Sequence, residues 1–251
     1  MHQFLTLVEV AEKLGLQVQE TRKLLTRSGI TGRLVQGIEM FPRAEVIHWL
    51  EQILGEVSQK RLSEIDRASG SRTGLSPRSH IVAPLLRSNL VCTCLAANTR
   101  PSLLRKLASL AVSTGKVYDE QHLYDLLEER ERLCSTALTT GVAIPHPRCP
   151  HDLYVEDEVL LLARTAHPIP FGAERGSLTW LFFLIVCGDP GMHLQILARL
   201  SMLLRNPSMT EAVREAESEE DILRAVEDCE TEMLCSVARE PDRASGRSGG
   251  R

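Results

Sequence analysis

The eight residues Trp180 to Cys187 read WLFFLIVC, the longest unbroken apolar run in the chain, and they limit what the chain can become. A membrane-spanning helix needs about 20 such residues, so this run does not cross a bilayer as a helix. It also lacks polar alternation, which makes Leu178 to Cys187 a strand buried on both faces. Helical and strand-like stretches alternate around it. Leu90 to Leu95 and Val159 to Ala163 are strand-like, whereas 101–112, 119–132 and His193 to Leu204 carry apolar residues at helical spacing, as do the shorter 209–216 and 219–228. This alternation predicts an α/β layer fold.

The preceding part of the chain is different. Ala68-Ser-Gly-Ser-Arg-Thr-Gly-Leu-Ser-Pro77 has no apolar periodicity and reads as a flexible linker. Two domains are expected: residues 1–68, a linker over 69–79, a larger domain over 80–235, and a disordered Ser/Gly/Arg tail over 236–251. Residues 1–78 hold 11 Lys and Arg against 9 Asp and Glu, and the remainder 18 against 24. Affinity for nucleic acid therefore belongs to the first part. The N-terminus shows no basic region followed by an apolar run, so no secretory signal is expected, and the chain is assigned to the cytoplasm without membrane insertion.

Within residues 1–68, Thr6-Leu-Val-Glu9 is a capping box that opens a short helix ended by Gly15. A second helix is predicted from Gln19 to Arg27, stopped by Gly29. Gly32 to Phe41 reads as a β-hairpin, and Pro42 is suited to start the next helix. In order, length and the Phe41-Pro-Arg-x-Glu45 sequence, residues 4–54 resemble small winged helix-turn-helix domains of the excisionase and MerR-like type. That resemblance implies DNA as a partner, with Arg22, Lys23, Arg27 and Arg33 as candidate contacts, and a homodimer on paired half-sites. Read as residues alone, the same four are equally well ordinary solvated charges.

The chemistry-bearing stretch is Ser135 to Arg148, STALTTGVAIPHPR. Pro145 and Pro147 enclose His146 and hold it in stiff, extended backbone. Ser135, Thr136, Thr139 and Thr140 bring hydroxyls, and Gly141 lets the chain turn. An imidazole so supported can be a nucleophile, a general base or a metal ligand. Cys149 and His151 lie nearby, but Cys149-Pro150-His151 has no matching second pair, so neither metal nor cofactor is expected. The seven cysteines, an odd number and several in apolar surroundings, are read as reduced thiols.

Leu-x-x-Arg130-Glu131-x-x-x-Ser135-Thr136, Gly141-Val-Ala-Ile-Pro-His146, Pro168-Ile-x-Phe171-Gly172-Ala173 and His193-Leu194 follow one another over residues 80–230. Together they resemble the fructose/mannitol-type EIIA domain of the bacterial sugar phosphotransferase system, in its nitrogen-regulatory form. The resemblance implies a mixed sheet flanked by helices. It also implies reversible phosphorylation of His146 by a phosphocarrier protein, itself phosphorylated on histidine, with His193 as the second histidine. On physical grounds Ser135 and Thr136 can donate hydrogen bonds nearby, Arg130 can pair with the phosphoryl group or with the partner protein, and His193 and the amides at the start of its helix favour the anion. The chain departs from the family's glycine-rich loop at Ala137, Thr139 and Thr140, and has Pro147 where the family has glycine.

Three functions follow from this pairing. The first is a phosphorylation-responsive regulator that binds DNA or a regulatory protein target. The second is a phosphocarrier that passes phosphate to a sugar-permease IIB domain, and the third is an interaction module that no longer accepts phosphate.

Overall fold

The computed structural model describes residues 4–54, 57–87, 90–138, 140–147 and 153–239. Thr139, Arg148, Cys149 and His151 lie outside the described residues, as does the tail from residue 240.

The apolar run forms β7 (Thr179–Val186), buried at every residue. It is a central strand of a four-stranded sheet ordered β4-β6-β7-β5, with β4 (Leu90–Leu95), β5 (Val142–Ala143) and β6 (Val159–Ile169). β4 runs parallel to β6 and β5 parallel to β7, while β6 and β7 are antiparallel, so the sheet is mixed.

Side chains alternate across this sheet and divide the interior into two cores. Leu161, Ala163, Phe182, Leu184 and Val186 face α6 (Arg100–Ser113) and α7 (Glu120–Leu133). Leu160, Leu162, Leu181, Phe183 and Ile185 join a second core with α5 (Val82–Arg87), α8 (Pro190–Leu203), α9 (Pro207–Glu215) and α10 (Glu219–Arg239). A strand buried at every position, and apolar at all but Thr179, is what a sheet covered on both faces requires.

The N-terminal module contains β1 (Phe4–Thr6), α1 (Leu7–Leu14), α2 (Val18–Arg27), β2 (Arg33–Val35), β3 (Ile38–Pro42) and α3 (Arg43–Leu54). Its strands form an antiparallel sheet ordered β1-β3-β2. The Thr6/Glu9 capping box closes in both directions, and Gly15 ends α1 in the left-handed conformation at φ 62°. β1 has no counterpart in the sequence reading: three residues are too few to show a period.

The flexible linker is corrected by α4 (Gln59–Thr73), which runs through its first residues and ends at Gly74. Weak helix formers persist there because packing overrides propensity. Ser69 is buried, and Leu62 and Ile65 join Leu5, Leu14, Leu50 and the α8 side chains in one continuous core. Residues 236–239, expected to open the tail, belong instead to α10.

Candidate functional site

The Ser135 loop is built to deliver His146 to the edge of β7. Leu138 N donates to Val142 O at 2.7 Å, and Ala137 forms an antiparallel bridge to Ala143. Gly141 makes the reversal at φ 83°, where an added Cβ would lie 2.8 Å from Trp180 Nε1. Its carbonyl accepts from Trp180 N at 2.9 Å, which starts β5 alongside β7. Pro145, with no N–H to offer, still accepts from Ile185 N at 3.0 Å and extends the chain along that strand.

His146 then turns inward and is 3% exposed. Its Nδ1 lies 2.7 Å from Ile144 O. A carbonyl only accepts, so Nδ1 carries the proton and Nε2 the lone pair. Arg130 Nε donates to that Nε2 at 3.3 Å, a contact consistent with the same tautomer. His193, on α8, packs edge-on with a ring centroid 5.2 Å from that of His146 and an interplanar angle of 62°. The two imidazoles and Arg130, far apart in sequence, thus form one buried cluster at the ends of β5, α7 and α8.

Ser135 and Thr136 have hydrogen-bond partners in and beside the loop itself. Ser135 Oγ donates to Phe171 O at 3.2 Å and accepts from Ala137 N at 3.2 Å. Thr136 N donates to both oxygens of Glu131, at 3.1 and 3.2 Å, and Thr136 Oγ1 donates to Glu131 as well. Both hydroxyls therefore brace the loop that carries His146. Glu131 is 3% exposed, and burial pushes its carboxyl above the usual carboxylate range, while the Thr136 hydrogen bonds and then His146 and Arg130 pull it back. Arg130 also donates to Cys134 O at 2.7 Å, tying the end of α7 to the loop.

Two of the amides at the start of α8 have partners within the chain. α8 begins at Pro190, Met192 N donates to Asp189 Oδ1 at 2.7 Å, and His193 N to Asp189 O at 2.9 Å. A cleft of about 520 Å³ lies beside this turn, between Lys13 and Arg43 of the N-terminal module and Asp189, and not over His146.

The four N-terminal cations Arg22, Lys23, Arg27 and Arg33 are all exposed. Arg22 also pairs with Glu39 at 2.7 Å, from α2 to β3. Sequence reasoning missed the carbonyls of Ile144 and Phe171, because any residue type supplies one. It placed Glu131 beside Arg130 without giving it the role of Thr136's acceptor.

The family model for the phosphoenolpyruvate-dependent sugar phosphotransferase system, EIIA 2, matches residues 84–229. A nitrogen regulatory protein of Bradyrhizobium diazoefficiens is 33% identical over 141 residues, 55% of this chain and 86% of that protein. A fructose-specific EIIA component of Haloferax volcanii is 33% identical over 126 residues, 49% of this chain and 80% of that protein. Among solved structures, the nitrogen regulatory protein IIA-Ntr of Neisseria meningitidis superposes with a TM-score of 0.52 at 25% identity, covering 59% of this chain and 99% of its own.

Proposed function

The chain belongs to the EIIA 2 family of the phosphoenolpyruvate-dependent sugar phosphotransferase system, and from that premise we propose that His146 accepts a phosphoryl group on Nε2 from a phosphohistidine carrier protein and passes it to a IIB domain. The observation that carries this reading is the tautomer: Nδ1–H is held by Ile144 O, leaving the Nε2 lone pair as the nucleophile. That pair attacks phosphorus, the bond from phosphorus to the carrier's imidazole nitrogen breaks, and the carrier ring keeps the leaving pair. Nδ1 retains its proton, and onward transfer repeats the step in the opposite direction.

Arg130 is placed to move from the Nε2 lone pair to the incoming oxygens, where a guanidinium is a strong charge-assisted donor. His193 faces the same ring and is the second candidate donor. Glu131, Ser135 and Thr136 hold the loop. The reaction needs the site to meet a protein surface, because His146 is nearly buried and the donor and acceptor phosphates are themselves protein-bound.

The direct test incubates the full chain with the phosphorylated carrier and reads intact mass. A gain of one phosphoryl group that disappears in His146→Ala and chases onto a IIB domain supports the proposal. No gain by the wild type overturns it.

A regulator with a DNA-binding N-terminal module is the second reading. It is favoured by the likeness to nitrogen regulatory proteins and by exposed Lys23, Arg27 and Arg33. It ranks behind because Arg22 is paired with Glu39, and the matched family segment begins after the module. Equal DNA binding by phosphorylated, unphosphorylated and His146→Ala protein would remove it.

A further inference from the structure

Gln195 and Arg199 lie on α8 with His193, and both are fully buried at 0% exposure. The elements that bury their polar ends belong to the N-terminal part of the chain. Arg199 Nε stands 2.7 Å from Asp66 Oδ1, and its Nη2 and Nη1 donate to Pro77 O at 2.7 Å and Ser79 O at 3.3 Å. Gln195 Nε2 donates to Asp66 Oδ1 at 3.2 Å, and Thr73 Oγ1 donates to Gln195 Oε1 at 2.7 Å. The helices approach closely at Gly70, where a Cβ would fall 2.6 Å from Leu75 O and 3.1 Å from Gln195 Nε2.

Apolar packing alone tolerates small slides and rotations of one helix along another. Directional bonds to buried groups do not, because any slip leaves a donor or a charge unanswered. Asp66 and Thr73 therefore fix α8 both along its axis and about it. His193 sits in the first turn of the helix so fixed, 5.2 Å from the His146 ring centroid.

We propose that Asp66, with Thr73, is a positioning residue for phosphoryl transfer: from outside the matched segment 84–229 it holds α8 in the register that sets His193 against His146. Its kinetic consequence rests on the phosphoryl-acceptor reading above, whereas its geometric consequence does not.

The experiment compares full-length wild type, Asp66→Asn, Thr73→Val and Leu62→Ala. Leu62 lies one turn before Asp66 on α4 and is fully buried, so its truncation loosens the same helix without touching the polar contacts. Three quantities are read: the imidazole nitrogen resonances of His146 and His193 in unphosphorylated protein, the rate of phosphoryl gain from the carrier, and the thermal midpoint. Asp66→Asn and Thr73→Val should both displace the His193 resonances and slow the gain, by as much as about 10²-fold for a displacement of about 1 Å. Leu62→Ala should lower the midpoint while leaving resonances and rate as in wild type. Unchanged rings and rate in the two polar variants, or equal slowing in Leu62→Ala, overturn the proposal. If Asp66→Asn does not fold, Thr73→Val decides. Should the wild type take up no phosphoryl group, the functional reading fails, and the ring resonances alone decide the positioning.

Discussion

Arg130 and His146 meet nitrogen to nitrogen: Nε of the guanidinium lies 3.3 Å from Nε2 of the imidazole, both side chains being 3% exposed. The donor thus occupies the place where a phosphoryl group would form its bond. It must swing aside on phosphorylation, and the oxygens that arrive then give it a better acceptor than a ring nitrogen. Replacing Arg130 with Gln should slow phosphoryl gain by about 10²-fold, the scale of loss when one charge-assisted donor to a developing charge is removed. Arg130→Lys should recover only part of the rate, since an ammonium lacks the planar fork that also holds Cys134 O. Single-turnover transfer from a labelled carrier measures both.

Glu131 predicts a pH dependence. Its folded-state pKa is raised above the ordinary carboxylate value, with burial as the leading cause, so between the two values the folded chain binds the proton more tightly than the unfolded chain. By linkage, its contribution is fully present below the ordinary value and is lost as pH rises through the raised one. Glu131→Gln keeps an acceptor for Thr136 but removes the titration. Thermal midpoints across mildly acidic pH should therefore fall more steeply for wild type than for the variant. Parallel curves would contradict the argument.

Gly141 is the position where the His146 loop tolerates least. A φ of 83° is costly for any residue with a Cβ, and here the Cβ would meet the indole of Trp180 at 2.8 Å. Gly141→Ala should destabilise the fold by about 1–3 kcal/mol, read from denaturant midpoints. Because the Gly141 carbonyl receives Trp180 N, β5 would shift and phosphoryl acceptance should fall with it.

These residues show why some of the structure was legible in the sequence and some was not. β7 announced itself because eight consecutive apolar residues admit few alternatives, and α6 and α7 because their apolar residues recur at helical spacing. His146, His193 and Arg130 stood out through a motif that already encodes their meeting in space. Hydroxyl partners are not encoded in that way. Nothing in the Ser135-Thr136 pair itself announces that its hydroxyls take Phe171 O and Glu131 as acceptors, a pairing decided by loop geometry. β5, two residues long, takes its identity from β7 beside it. The Ala68–Pro77 run failed for a third reason: its Ser, Gly and Thr residues are poor helix formers in isolation, and only the α8 surface makes a helix of them.

That last point carries a prediction about domain independence. If residues 69–79 were a passive tether, a chain beginning at residue 80 would keep the stability of the phosphotransferase body. The contacts argue otherwise, because α8 is buried at every residue from His193 to Leu200, and α4 forms one of its walls. Removing residues 1–79 would expose apolar core and strip Arg199 of Asp66 and of the Pro77 and Ser79 carbonyls. Breaking a buried pair by deleting one partner costs about 3–5 kcal/mol, a large share of a domain's whole stability. The truncated chain should melt well below the full chain or fail to fold, and the full chain should unfold in one calorimetric transition. Two separable transitions, the later one matching the truncated chain, would restore the tether.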